Sequence, residues 1–127
     1  MVTIIIMALA LALLQIWIIP MTGALAINIK SMSYLLSNRD QDIRIDPTSV
    51  SARILRASSN LQESLPSFLA LAILSIITEV DNTMLAMTWL FLRVLYFFIY
   101  AAGIAYIRSV IWIGSIACLV LMGLALI

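Results

Sequence analysis

Long stretches of this chain are apolar and nearly free of charge, and a lipid bilayer is the one solvent that suits them. Residues 2–29 carry no charged side chain, residues 83–104 carry only Arg93, and residues 109–127 carry none. A helix crosses the ~30 Å hydrocarbon layer in ~20 residues. In lipid each backbone N–H and C=O must be satisfied within its own segment, so these runs can only be helices. Over the whole chain 65% of residues are hydrophobic, 10% are charged, and the mean hydropathy is +1.17. Soluble domains hold ~45–50% apolar and ~25% charged residues. The expected fold is therefore an all-α membrane protein. Its 127 residues allow one small bundle of three or four spans and no separate soluble domain.

Composition also narrows the chemistry. A net charge of +1 offers nothing for nucleic acid or a strongly acidic partner. There is no histidine, which removes the commonest general base and metal ligand, so no metal site is expected. The single cysteine, Cys118, sits among apolar residues and reads as packing.

In chain order, residues 2–29 form a first span, retained rather than cleaved because no Lys or Arg precedes the apolar run. Pro20 is expected to kink it. Residues 31–47 form a polar loop, and Asp46-Pro47-Thr48-Ser49 is a good helix start. A second helix over about 48–78 contains Pro66. A third follows the acidic turn Glu79-Val80-Asp81-Asn82 over 83–104, and a fourth covers about 107–127. Lys30, Arg39, Arg44, Arg53, Arg56 and Arg108 all fall at one end of this bundle. The positive-inside rule makes that end cytoplasmic, with both termini on the far side.

The second helix opens with a polar strip. At 100° per residue, Arg53, Arg56, Asn60, Glu63, Ser64 and Ser67 lie within about a 100° arc. The strip runs without a break into membrane-grade hydrophobic sequence. Ionisable groups at that depth are costly, which marks it as a candidate site rather than a plain solvated extension. On the third helix Arg93, Tyr96 and Tyr100 share one face within about 60°. Counting ~1.5 Å per residue from the far turn brings Tyr96 level with Glu63, and Tyr100 level with Asn60. Arg108, Ser109 and Trp112 open the fourth helix at the same end. Glu63 is the carboxylate within reach of the intramembrane Arg93, so a Glu63–Arg93 pair is expected. A monomer of this size can hardly enclose a polar cleft, so a homo-oligomer is the more comfortable arrangement.

These residues resemble the MAPEG family, the membrane-associated proteins of eicosanoid and glutathione metabolism. The strongest part is Arg53-x-x-Arg56-Ala57-x-x-Asn60-x-x-Glu63-x-x-Pro66-x-Phe68. Arg93-x-x-Tyr96-x-x-x-Tyr100 and Arg108-Ser109-x-x-Trp112 are similar to that family's third helix and the start of its fourth. The resemblance implies a four-helix bundle assembling as a homotrimer, with glutathione bound between subunits near the cytoplasmic face. It implies that Arg56, Asn60 and Glu63, with Arg93, Tyr96 and Tyr100, bind the tripeptide. It also implies that Arg108 activates the thiol. Ser59, Ser64 and Trp112 depart from what some members carry, which leaves fewer contacts for glutathione.

The function this implies is a glutathione-dependent transferase or peroxidase-like activity on lipophilic electrophiles. The setting would be a bacterial inner membrane, with lipids and a second copy as partners. A non-catalytic membrane subunit that keeps the fold is the rival, and a small transporter a weaker one, because paired broken helices are lacking. The two leading readings differ at Arg108. An enzyme needs it facing an open cleft, whereas a scaffold would pair it with a carboxylate or a lipid phosphate.

Overall fold

The computed structural model of the protein describes residues 1–26 and 48–127, with the side chains of residues 19–26 excepted. They form four helices: α1 (Val2–Ala26), α2 (Val50–Ile77), α3 (Thr83–Ala102) and α4 (Ala105–Leu124). The expected all-α, four-helix architecture is present. Helices α2, α3 and α4 are long and apolar enough to cross a bilayer, and α1 is apolar over Val2–Ile18. The charged loop with Lys30, Arg39 and Arg44, and the start at Asp46-Pro47, lie outside the described residues.

Local chemistry sets the helix ends. Ser49, in extended backbone, accepts a hydrogen bond from the Ala52 N–H at 3.2 Å and so satisfies one orphan donor of α2. At the other end Glu79 takes a left-handed φ of 58°, which lets the Val80 N–H reach back to the Ser75 carbonyl. Asp81 accepts from the Thr83 N–H at 3.0 Å, and the Thr83 hydroxyl and N–H hold its carboxyl below the usual carboxylate range. Helix α3 stops at Gly103, whose φ of 81° suits a residue without Cβ. A Cβ there would also run into the Arg53 guanidinium, which rests against this C-terminal turn. Helix α4 then begins at Ala105, two residues earlier than expected. Arg108 is thus inside its first turn, with its N–H bonded to the Ile104 carbonyl, and does not belong to a connection.

Helix α3 packs against both α4 and α2, and α1 lies along α2 with a lighter contact to α3. Ile4, Ala8 and Ala12 of α1 meet Leu61, Phe68 and Ala72 of α2 and Ala86 and Trp89 of α3. The Phe68 and Trp89 rings stack with centroids 4.0 Å apart. Lipid tails are as apolar as these side chains, so close packing and internal hydrogen bonds hold the helices together. A second cluster, Ile54, Ala57, Tyr96, Phe97 and Ile111, fills the end where α2 starts and α3 turns into α4. We call this the upper end.

The lower end is tied by one amide. Asn82 is buried, and its Nδ2 donates to Ser75 Oγ at 2.9 Å and to the Met122 carbonyl at 3.2 Å. One side chain in the α2–α3 turn thus reaches both α2 and α4. Asn82→Ala is expected to cost about 1–3 kcal/mol in a detergent unfolding titration, because two buried acceptors lose their donor. Thr88→Ala, at an exposed hydroxyl, should stay within about 0.5 kcal/mol of the parent. Equal losses would contradict the role given to Asn82.

Candidate functional site

The polar strip of α2 divides along its length. Arg53, Asn60 and Ser64 turn toward the bundle and are buried or half-buried, whereas Arg56, Glu63 and Ser67 form an exposed outer edge. The cause is angular. The inner three cluster within about 40° around Arg53, and the outer three are centred about 60° away. Ser64 Oγ donates to the Leu61 carbonyl at 3.0 Å, so its hydroxyl is internally satisfied. Glu63 accepts from Ser59 Oγ at 3.3 Å on the outer edge.

This division corrects the expected Glu63–Arg93 pair. Arg93 is 1% exposed, and its Nη1 donates to Asn60 Oδ1 at 2.7 Å. The amide on the inner edge meets the guanidinium directly, while the Glu63 carboxylate is bonded to Ser59 on the outer edge and makes no salt bridge with Arg93. Heights counted along straight helices favoured Glu63, but the facing direction decides. The Arg93 cation also lies 5.5 Å from the Trp89 ring centre and 5.8 Å from that of Tyr96. Such contacts partly replace the hydration that a buried cation loses.

Above this pair a cleft opens at the upper end between α2, α3 and α4. It encloses about 340 Å³ and is lined by Asn60, Tyr96, Tyr100, Arg108, Ser109, Trp112 and Ile113. That is at the small end of the ~300–1,000 Å³ typical of small-molecule sites. The first turn of α4 aims Arg108 into it. Its guanidinium lies 4.6 Å from the Tyr100 ring centre, and Tyr100 meets Tyr96 edge-to-face at 5.4 Å. Among the described residues, no carboxylate comes within salt-bridge distance of Arg108. The cleft therefore presents a cation, two phenols, an amide and the Ser109 hydroxyl to one volume. A ligand carrying a carboxylate or an anionic sulfur would find its charge matched there.

Of the residues marked in the sequence, Asn60, Tyr96, Tyr100 and Arg108 share this cleft. Arg93 stands beneath it, bonded to Asn60. Arg56 and Glu63 are on the exposed edge of α2 and are not among the described residues that line this cleft. Trp112 also lines the cleft, and so does Ile113, which carries no signal in the sequence. Trp112 follows Arg108 and Ser109 by one turn of α4, and this helical spacing was the available sign.

The MAPEG family model matches residues 4–127. No curated protein and no solved structure matches the chain.

The corrected partnership has a direct consequence. Asn60→Leu strands a buried guanidinium and should cost about 2–3 kcal/mol in a detergent unfolding titration. Glu63→Ala should cost less than about 0.5 kcal/mol, because its site is exposed. A larger loss for Glu63→Ala than for Asn60→Leu would restore the carboxylate as the partner of Arg93.

Proposed function

The chain belongs to the MAPEG family, and from that membership and the cleft we propose that it is a membrane-embedded glutathione transferase or peroxidase-like enzyme acting on lipophilic electrophiles. The observation that carries the proposal is Arg108. It faces an open polar cleft and stacks on Tyr100, with no carboxylate within salt-bridge distance among the described residues. That is the arrangement an enzyme requires at this position, and a scaffold does not.

Glutathione would supply a thiol whose thiolate form attacks an electrophilic centre. Arg108 would favour that thiolate by placing a permanent cation beside the sulfur, in a site where water screens poorly. Asn60 would orient the peptide backbone, held in place by Arg93 from below. Tyr96 and Tyr100 would form the wall, their rings apolar and their hydroxyls free to donate. The electrophile would enter from the bilayer side, where the described helices expose many large apolar side chains such as Phe91, Phe98 and Ile113.

One chain brings only part of the binding set to the cleft. Arg56 and Glu63 offer charges suited to the carboxylate and ammonium ends of a tripeptide, but on the exposed edge of α2. An exposed carboxylate such as Glu63 is unfavourable beside lipid unless it is covered. We therefore take the working form to be a homo-oligomer, a trimer as the sequence resemblance implies, with glutathione held between two copies. The bundle would sit in a bacterial inner membrane with its upper end cytoplasmic, as the placement of Lys and Arg favours.

Glutathione binding to the assembled protein, followed by calorimetry, tests this reading. Saturable binding should weaken at least tenfold in Arg56→Ala and in Glu63→Ala. Arg108→Ala should keep binding within about tenfold but lower turnover of a lipophilic electrophile by about 100-fold or more. The absence of binding at millimolar glutathione in an intact oligomer would leave the non-catalytic subunit reading in its place.

A further inference from the structure

The core shared by α1, α2 and α3 is closed toward the cleft by a layer of polar side chains. Below that layer Ile4, Ala8 and Ala12 of α1 pack with Leu61 and Phe68 of α2 and Ala86 and Trp89 of α3. One turn higher, each helix continues its buried stripe with a polar residue. These are Gln15 on α1, Ser58 on α2 and Arg93 on α3, each 1% exposed. The groove between α1 and α3 sets their relative height. Leu11 and Leu14 line it together with Leu90, Phe91 and Val94. Gln15 therefore stands level with Arg93 to within about one 5.4 Å turn.

The hydrogen bonds of this layer are incomplete in a complementary way. Ser58 Oγ accepts from Gln62 Nε2 at 3.3 Å. Among the described residues, Arg93 commits Nη1 to Asn60, but its Nε and Nη2 are buried without a partner, as is Trp89 Nε1. Gln15 Oε1 is a buried acceptor without a partner. Two donors of Arg93, with Trp89 Nε1 one turn below them on α3, and one acceptor on α1 thus border the same core. An amide deep in an otherwise apolar span is costly unless it is matched, and lipid provides no match.

We propose that Gln15 is the second anchor of Arg93, with its carbonyl joined to the free edge of the guanidinium through one bridging water. Such a water accepts from Arg93 and from Trp89 Nε1 and donates to Gln15 Oε1, which gives it the three partners that hold a buried water in place. Gln15 is then a positioning residue. Fixed along its Nε–Nη2 edge, the guanidinium presents Nη1 to Asn60 Oδ1, and Asn60 lines the cleft. This couples α1, none of whose described side chains lines the cleft, to the geometry of the cleft. It stands independently of any thiol chemistry.

Melting of the purified oligomer in detergent, with a double-mutant cycle, tests the coupling. Gln15→Met keeps the shape but removes the acceptor, and should lower the melting temperature by about 3 °C or more. Gln15→Glu supplies a stronger acceptor opposite a lone guanidinium, and should melt at or above the parent. Gln15→Met combined with Arg93→Met should melt close to Arg93→Met alone. A Gln15→Met protein as stable as the parent would reduce Gln15 to a space-filler and overturn the proposal. So would fully additive losses in the double variant. If Arg93→Met does not assemble, the pair at position 15 still decides, because Gln15→Glu melting below Gln15→Met contradicts the assignment.

Discussion

A guanidinium enclosed in an apolar bundle is the constraint from which the upper half of this protein follows. Arg93 is almost fully removed from solvent and, among the described residues, has no carboxylate within salt-bridge distance. Unpaired, such a group costs ~2.5–3.5 kcal/mol on membrane insertion scales. The bundle offsets this with an amide on α2 and two aromatic faces on α3. Each of these then has little freedom elsewhere. Asn60 must face inward, which fixes the rotation of α2 and turns Arg56 and Glu63 outward. Tyr96 must lie beside the cation, which sets the wall on which Tyr100 and then Arg108 are stacked.

The two ends of the bundle use polar groups differently. At the lower end Asn82 joins Ser75 and Met122 in a closed arrangement. At the upper end the polar groups surround open space, and the helix ends there are shaped around it. Gly103 allows α3 to stop abruptly beneath the Arg53 guanidinium. A cation at that position also suits the negative end of the α3 dipole. Only Gly103 and Ile104 separate α3 from α4, so Arg108 is carried on a rigid first turn rather than on a loop. A site built on helix termini in this way holds its cation in a defined direction, as thiol activation requires.

Much of this architecture is legible in the sequence, and the part that is not has an identifiable physical cause. Long uncharged runs leave a membrane chain no option but helices, so the number and approximate ends of the spans follow from length and charge alone. The Arg93, Tyr96 and Tyr100 face, the Asn60 position and Arg108 follow from helical spacing. The facing of a 100° strip does not, because both of its edges satisfy the same periodicity. Charge complementarity favours Glu63 for Arg93, yet rotation of α2 puts Asn60 there. Helix α4 starts two residues before the position its sequence suggests, because Ala105 and Tyr106 suit a turn and a helix equally well. Gln15 did have a signal, an amide within an uncharged span, but its meaning depends on what stands level with it on α3. That is a tertiary fact which no local pattern encodes.

The central claim is that Arg108 holds a thiolate in the cleft, and the ionisation of a bound thiol reads this most directly. The measurement is the ultraviolet thiolate absorbance of glutathione bound to the assembled protein, followed against pH. A cation beside the sulfur lowers the pH at which thiolate forms, so the account predicts a midpoint at least one unit below that of free glutathione. It also predicts that the shift disappears in Arg108→Ala while binding persists. A bound thiol that ionises at the free-solution midpoint, or a shift that survives loss of Arg108, would contradict the account.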